Sequence, residues 1–499
     1  MKNLLINPPQ YGFNTTTDFG SEYPIALLKL STFLKGNGED VELFDFLPYK
    51  QFYLNQIQEH GMVDDNLYIK DEEADIDDEF ICYKGQNIGG NRLSFHRKTG
   101  EICYRLGLTF ERYYLGADKK IFIDYLLANK PDRIWISSGA TYHYKGTIDL
   151  IRWCKEIYPD IEITLGGIYP TLCCQHALEN SGADIVISGK DERFDNHDID
   201  YDILPNKPQY IIDKLADGCP NGCKFCAVSK MGGLVAKFTD VQRSVDRVAA
   251  ISEKYGVNKI KIWGSNLLLP ESGKCFTKWL DGILSIGKKF EIDCPEGFAP
   301  ELLTSEICKK MKKAGFLFLN IPLETGSSEH LKAMNKAYDL SSWKKAVSIA
   351  IDAGFDSSQI ESTTIVGAVG QTMEDMQNIL DIRNDYKIKL RLYLYTVVPG
   401  SPWYEESDYF KSLDFDLLDG IFLPAVSDKR VAKFIFDAMK GFYIKETIRG
   451  DTMDMEAIQK MAKVLLCVAE QSEEILEKLK GNDEILKRLD NIEKNLGIK

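Results

Sequence analysis

Three cysteines, Cys219, Cys223 and Cys226, stand in the run Asp217-Gly218-Cys219-Pro220-Asn221-Gly222-Cys223-Lys224-Phe225-Cys226-Ala227, a C-x3-C-x2-C spacing bent by proline and glycine. Three soft thiolates on one tight loop suit three irons of a cubane [4Fe–4S] cluster and leave the fourth iron without a protein ligand. A small molecule can bind at that open corner and receive an electron. The alternative is a chance grouping of structural cysteines, because the chain holds 12 Cys in 499 residues.

The chain is too long for a single core, which predicts two or three domains. At 44% hydrophobic and 27% charged residues it has the composition of a soluble globular protein. A formal net charge of −14 argues against a general nucleic-acid binder, though not against a local basic channel. No apolar run is long enough to span a bilayer, and Met1-Lys2-Asn3-Leu4-Leu5-Ile6-Asn7-Pro8-Pro9 breaks too early for a signal peptide. The other cysteines show no framework spacing, as expected for reduced thiols and a cytoplasmic location. A cluster with an exposed iron is oxygen-labile, which points to an anaerobic or microaerobic setting.

The cysteine loop needs a rigid frame, and the sequence supplies alternating strands and helices on both sides of it. Leu4-Leu5-Ile6 reads as a buried strand, Pro24 to Leu34 as a helix stopped by Gly36 and Gly38, and Val41 to Asp45 as a second strand. Arg133 to Ser137, Tyr144 to Tyr158, Ile161 to Leu165 and Ala183 to Gly189 continue as strand, helix, strand and strand. This alternation predicts an α/β, doubly wound, Rossmann-like domain over residues 1–195 with an insertion at about 49–130. Ligands of such sheets bind at the C-terminal strand edge, which gathers Pro8, Ser137, Gly166, Gly167 and Gly189.

From Gln209 to Glu405 the alternation recurs at the spacing of βα units, predicting a partial (β/α)6 TIM barrel over 205–405. Its expected strands are Tyr210 to Ile212, Lys259 to Trp263, Phe290 to Cys294, Phe316 to Leu323, Ser362 to Gly367 and Arg391 to Val398. The first feeds the cysteine loop, so the loop sits at the mouth where such barrels do chemistry. Residues 406–499 read as a C-terminal helical region. There Ile475, Leu479, Ile485, Leu489, Ile492 and Leu496 suit either packing on the barrel or pairing with a second chain in a homodimer. Within the insertion, Asp71 to Glu79 reads as an acidic loop, Cys82 and Cys103 as loop cysteines, and Gly107 to Leu127 as largely helical.

The cysteine run resembles the signature of the radical S-adenosylmethionine (SAM) superfamily. The resemblance implies that SAM's amino and carboxylate groups chelate the unique iron and that reductive cleavage yields a 5′-deoxyadenosyl radical. It implies Cys219, Cys223 and Cys226 as metal ligands. SAM contacts fall to Phe225, Gly264, Ser265, Asn266, Glu324, Gly367 and Val398. At Gly264-Ser265-Asn266 relatives often carry Gly-Gly-Glu, so the acidic residue is missing here. Leu323 to Ser327, followed by Leu331, Met334, Asn335 and Lys336, resembles the Glu-Ser/Thr-Gly-Ser turn of the cobalamin-type members, and Pro399 to Tyr404 resembles their Pro-Gly-Thr-Pro-Leu-Tyr.

The N-terminal motifs Asn7-Pro8-Pro9, Gly166-Gly167-Ile168-Tyr169-Pro170-Thr171 and Ser188-Gly189-Lys190-Asp191-Glu192 resemble the cobalamin-binding domain that precedes many such barrels. This implies cobalamin contacts at Pro8, Ser137, Thr141, Gly166, Gly167, Ile168, Gly189 and Glu192. The chain departs from that pattern at Ile168-Tyr169 and at Lys190-Asp191, and it lacks the Asp-x-His-x-x-Gly motif. A Rossmann-like layer carrying no cofactor therefore stays open beside the cobalamin reading.

Together these readings predict an enzyme that cleaves SAM at a [4Fe–4S] cluster and transfers a methyl group to an unactivated carbon or phosphorus with the help of cobalamin. The alternatives are a radical rearrangement, cyclisation or oxidation without methyl transfer, and a noncatalytic iron–sulfur or zinc scaffold. An electron donor such as flavodoxin or ferredoxin is implied. The substrate class stays open among small molecule, lipid and peptide, and no residue is assigned a catalytic role.

Overall fold

The computed structural model describes residues 1–13, 23–47 and 119–413, with short pieces between 68 and 117 and between 415 and 435. The chain divides into two compact units, Met1–Ala432 and Lys433–Lys499, and nearly all described residues lie in the first. Its architecture is α/β, built on parallel sheets.

Strands β1 (Lys2–Asn7) and β2 (Gln10–Phe13) open the chain, followed by the helix Ile25–Gly36 and β3 (Asp40–Asp45). The insertion contributes β4 (Tyr68–Lys70), β5 (Phe80–Tyr83), β6 (Leu93–His96) and β7 (Arg112–Leu115). Next come the helix Lys119–Asn129, β8 (Arg133–Ser138), the helix Tyr144–Ile157, β9 (Glu162–Gly167) and β10 (Ile185–Val186). These strands form a five-stranded sheet in the order β10-β9-β8-β1-β3, every pair parallel. Its short strands are nearly continuously apolar because both faces are covered. Leu4, Ile6, Ile134, Ile136, Ile163 and Leu165 pack with Phe122, Leu150 and Trp153, while Leu5 and Trp135 pack with Leu27, Leu30 and Leu34.

Three expectations need correction here. The strand expected from Ala183 to Gly189 is reduced to Ile185–Val186; it sits at the sheet edge and has a partner on one side only. The helical stretch expected from Gly107 to Leu127 instead contains β7, whose Arg-Tyr-Tyr-Leu favours a pleated conformation, before the helix begins at Lys119. β7 pairs antiparallel with β2 and with β4, so the insertion returns to the turn that follows β1. Cys82 lies in strand β5 rather than in a loop. Cys103, the acidic run Asp71 to Glu79 and the C-terminal apolar repeat from Ile475 to Leu496 lie outside the described residues.

The second half is built from β11 (Ile211–Asp217), β12 (Lys237–Phe238), β13 (Lys259–Gly264), β14 (Glu291–Asp293), β15 (Leu319–Asn320), β16 (Ile360–Val366) and β17 (Lys389–Leu394). They hydrogen-bond in the orders β12-β11-β13-β14 and β15-β16-β17, all parallel except β12. A parallel bridge at Ile292 and Phe316, with Leu317 N–H on Ile292 O at 3.1 Å, links the two groups. β15 is shorter than the expected Phe316 to Leu323 because Pro322 has no N–H for the ladder, although Ile321 and Leu323 still donate to Glu361 O and Thr363 O. β17 stops short of Val398 because Val397 N–H turns to Leu418 O.

Helices Val241–Tyr255, Lys274–Ser285, Ser305–Ala314, Leu340–Asp352 and Met373–Tyr386 cover one face of these strands. Four of the five have first turns fixed by side-chain caps, at Asp240, Thr304, Asp339 and Thr372, while Lys274–Ser285 starts at Gly273 without one. Ile211, Leu215, Ile260, Ile262, Trp279 and Trp343 build the core between strands and helices. Asp213 is fully buried there, accepting from Trp279 Nε1 at 2.9 Å and pairing with Arg247. A buried carboxylate is tolerated only when so compensated, and it fastens β11 to two helices. No helix among the described residues is long and apolar enough to cross a membrane.

Candidate functional site

Strand β11 delivers the chain to Gly218, whose φ of +77° only glycine adopts readily. A β-carbon there would lie 2.2 Å from Val235 O, so backbone meets backbone at this point. Cys219 N–H donates to Gly233 O at 3.0 Å and Cys226 N–H to Cys223 O at 3.1 Å, while Val228 N–H points to Cys226 Sγ at 3.4 Å. A second segment clamps the loop from outside. Asn335 Nδ2 donates to Asn221 O at 2.9 Å and Gly222 O at 3.0 Å, and Lys224 N–H donates to Met334 O at 3.0 Å. Trp403 N–H closes the other side on Lys224 O at 2.8 Å.

The three thiols are free and half-buried. Burial pushes the Cys226 thiol up to about 11 and raises that of Cys223, against which the Lys336 ammonium pulls downward. Cys219 and Cys223 act electrostatically on Cys226, which places the sulfurs together on one loop. A cubane presents a separate iron to each thiolate, and three thiols spread along one loop can supply one sulfur to each of three irons.

Glu324 follows β15 with φ +62°, an uncommon backbone for a residue other than glycine, held by Glu324 N–H on Thr363 O and Ile365 N–H on Glu324 O. Its buried carboxylate accepts from Lys336 Nζ at 2.9 Å. Lys336 in turn lies 5.4 Å over the ring of Phe225 and 5.1 Å over Tyr338. Burial works against the Lys336 ammonium, but Glu324, Tyr338 and Cys223 raise it well above the usual lysine range. Glu324 thus takes part in a buried ion pair.

Gly264 is buried at the end of β13, with half-buried Ser265 and Asn266 after it. Asn266 Oδ1 and Trp263 Nε1 are buried and have no hydrogen-bond partner among the described residues, as expected of groups that await a polar ligand. Gly264 N–H donates to Glu296 Oε2 at 2.6 Å. A carboxylate from the loop after β14 thus stands beside Gly264. Sequence reasoning missed Glu296 because the pairing crosses strands; the only signal was Glu296-Gly297 at a strand end. Gly367 is buried, but its N–H is already engaged by Gln371 Oε1 at 2.7 Å, and Val398 is half-buried with its carbonyl on Ser401 N–H.

In the first sheet, Pro8, Ser137, Thr141, Gly166, Gly167, Ile168, Gly189 and Glu192 all fall at or just beyond the C-terminal ends of β1, β8, β9 and β10. Pro8 and Thr141 are buried, Glu192 is exposed, and Ile168 is 41% exposed at the crevice. Gly167 has φ +105°, and a β-carbon on it would lie 2.3 Å from Ser138 O. Thr171 Oγ1 donates to Gly167 O at 2.6 Å and accepts from Gly189 N–H at 3.0 Å. Gly139 and Gly189 have open space where a side chain would begin. The open backbone at these two glycines fits the approach of a broad flat ligand such as a corrin. Lys190 Nζ reaches Asp217 at 2.8 Å, where Lys214 also binds at 2.7 Å, joining this crevice to the strand that leads into the cysteine loop.

Residues 214–382 match the model of the Radical SAM superfamily. Bacteriochlorophyllide d C-12(1)-methyltransferase of Chlorobaculum tepidum is 25% identical over 211 residues, covering 40% of this chain and 44% of that protein. tRNA-2-methylthio-N(6)-dimethylallyladenosine synthase of Corynebacterium glutamicum is 25% identical over 349 residues, covering 59% and 62%. The chain thus spans about half the length of these curated relatives. Among solved structures, the radical SAM methyltransferase TsrM from Kitasatospora setae, with tryptophan and aza-SAM bound, has a TM-score of 0.55 at 13% identity over 81% of this chain and 75% of that one. The cobalamin-dependent SAM radical enzyme OxsB, with aqua-cobalamin bound, has a TM-score of 0.56 at 13% identity over 99% and 75%. At such identities the likeness is one of fold. Residues 214–382 thus match the radical SAM superfamily, and the chain resembles solved radical SAM enzymes, a cobalamin-dependent one among them, in its fold.

Proposed function

We propose that this protein is a radical SAM enzyme and that it methylates an unactivated carbon or phosphorus centre with cobalamin. The observation that carries the reading is the cysteine loop, gripped between the end of β11 and the Met334–Lys336 segment. We take residues 205–405 as a partial (β/α)6 barrel and residues 1–195, with their insertion, as a cobalamin-type layer. When bound, the cluster and SAM supply one-electron reductive cleavage, and cobalamin supplies a methyl carrier.

Cys219, Cys223 and Cys226 hold the irons. Burial keeps the free thiols of Cys223 and Cys226 protonated, so loading releases protons from these two. The Glu324–Lys336 pair fixes the ring of Phe225 under a cation and sets the wall beside Cys223. Glu296, Ser265, Trp263 and Asn266 line the opposite strand ends with acceptors and a donor for a polar ligand. At the other crevice, Thr171 holds the Gly167 and Gly189 turns in place, and exposed Ile168 offers an apolar contact. A protonic role is left to no single residue.

Anaerobic reconstitution with iron and sulfide, with SAM, a low-potential reductant and hydroxocobalamin added in turn, tests the reading. We expect about four irons per chain, 5′-deoxyadenosine formation, and a shift in the visible spectrum of cobalamin. Replacing Cys223 with Ala should abolish both iron uptake and SAM cleavage. A chain that takes up no iron overturns the enzyme reading, and a product without an added CH2 overturns methyl transfer.

A further inference from the structure

The segment from Gly218 to Thr239 carries three lysines, Lys224, Lys230 and Lys237, and no acidic residue, in a chain whose formal net charge is −14. It leaves the cysteine loop through the helix Val228–Gly232 and returns as β12, the edge strand of its sheet. At its tip Leu234 is 66% and Val235 64% exposed, the two highest values for large apolar side chains among the described residues. Lys230 and Lys237 flank them and are exposed. The acidic groups that meet this segment are Glu406, paired with Lys224, Asp240, which caps the next helix through Arg243 N–H at 2.9 Å, and Asp217, which stands opposite Lys237 across β11 and β12 and is already neutralised by Lys190 and Lys214.

The tip is not a remote appendage. Gly233 O accepts the Cys219 N–H at 3.0 Å, and Val235 O occupies the space beside Gly218. The tip thus lies in direct backbone contact with the first cysteine, which is itself partly exposed. An apolar tip ringed by positive charge, directly over a redox loop, is the chemistry of a transient docking site. The cations steer a negatively charged partner, and the apolar pair gives a small desolvated contact. Electron-transfer encounters use small interfaces of this kind.

We propose that the Lys230–Lys237 segment docks an acidic one-electron carrier protein of the flavodoxin or ferredoxin type. The proposal rests on the radical SAM reading. The step moves one electron from the reduced carrier, which is oxidised by one electron, to the [4Fe–4S]2+ cluster, which becomes [4Fe–4S]1+; no bond forms or breaks and no proton moves.

The test uses the full-length protein, anaerobically reconstituted, with a reduced flavodoxin of net negative charge as probe. Bleaching of the cluster's visible absorption gives the reduction rate by flavodoxin hydroquinone and, separately, by dithionite. The wild-type rate with flavodoxin should fall about tenfold as ionic strength rises from about 0.05 to 0.5 M. The double variant Lys230→Glu/Lys237→Glu should lose about tenfold at low salt. The variant Leu234→Ser/Val235→Ser should lose several-fold with little change in salt dependence. In both variants, iron content and the dithionite rate should match wild type. Equal flavodoxin rates in wild type and variants overturn the proposal, as does a wild-type cluster that dithionite reduces and flavodoxin does not. A change of molecular mass or loss of iron in both variants assigns the patch to a second copy or to another part of this chain and also overturns it. A wild-type chain that binds no iron overturns the enzyme reading itself, a result distinct from all of these.

Discussion

The ammonium of Lys336 lies 2.9 Å from the carboxylate of Glu324 and 5.4 Å over the ring of Phe225, the residue just before the third cysteine of the loop. A buried ion pair with an aromatic floor is costly to break from one side, because the surviving charge has nowhere to go. Lys336→Met should destabilise the apoprotein by about 3 kcal/mol. The double variant Glu324→Gln/Lys336→Met should recover more than half of that loss. Denaturant unfolding under reducing conditions measures both; strictly additive losses would refute the coupling.

Glu296 reaches across from the loop after β14 to the N–H of Gly264. Glu296→Gln keeps an acceptor for that N–H and removes the charge. SAM should then bind about tenfold more weakly, equivalent to about 1.4 kcal/mol, with stability nearly unchanged. Equilibrium dialysis on reconstituted protein gives the affinity, and an unaltered value would remove Glu296 from the ligand's surroundings.

Tyr395 is 3% exposed, and its hydroxyl finds no hydrogen-bond partner among the described residues; burial raises its pKa, so it remains a donor. It stands edge-on to Trp403 at 5.3 Å, near Phe225. An unsatisfied buried hydroxyl costs about 1–3 kcal/mol. Tyr395→Phe should therefore leave the apoprotein as stable or up to about 1 kcal/mol more stable, while weakening SAM binding. A destabilised apoprotein would show that the hydroxyl already has a partner.

Asp375 and Thr372 cap the helix Met373–Tyr386 reciprocally, Thr372 N–H donating to Asp375 Oδ2 at 2.8 Å and Asp375 N–H to Thr372 Oγ1 at 3.1 Å. Burial pushes the Asp375 carboxyl up, but hydrogen bonds from Ser327 and Thr372 and the nearby His330 outweigh it and hold the pKa below the usual range. A depressed carboxylate contributes stability that is fully present above the unfolded pKa, near 4, and is lost as pH falls through the folded value. Asp375→Asn should cost about 1 kcal/mol at neutral pH, and the gap to wild type should close as pH falls through the depressed folded value, below the usual carboxylate range. A pH-independent gap would contradict the assignment.

The cysteine loop and the strands feeding it were legible because their signals are local: three thiols within eight residues, and apolar runs such as Ile134 to Ile136 that are buried on both sheet faces. Element ends were less so. Nothing in the sequence around Ile185 says that its strand lies on a sheet edge, and Pro322 shortens a ladder whose flanking residues still bond across it. Contacts across the chain were the hardest to read. Glu296 meets Gly264 over 32 residues and Asn335 meets Asn221 over 114, pairings that no periodicity encodes. Lys336 was visible as part of a motif, yet its place over Phe225 emerges only once β15 and the cysteine loop share one wall.

Gly218 sets a limit on how this loop can vary over generations. Pro220 is exposed and Asn221 is held through its backbone carbonyl, whereas position 218 is walled in by the carbonyls of Gly232, Gly233 and Val235. A descendant that gained any side chain there would have to rebuild the neighbouring hairpin in the same step. Random libraries of this stretch should therefore return survivors with altered residues between the thiols and an untouched glycine ahead of them.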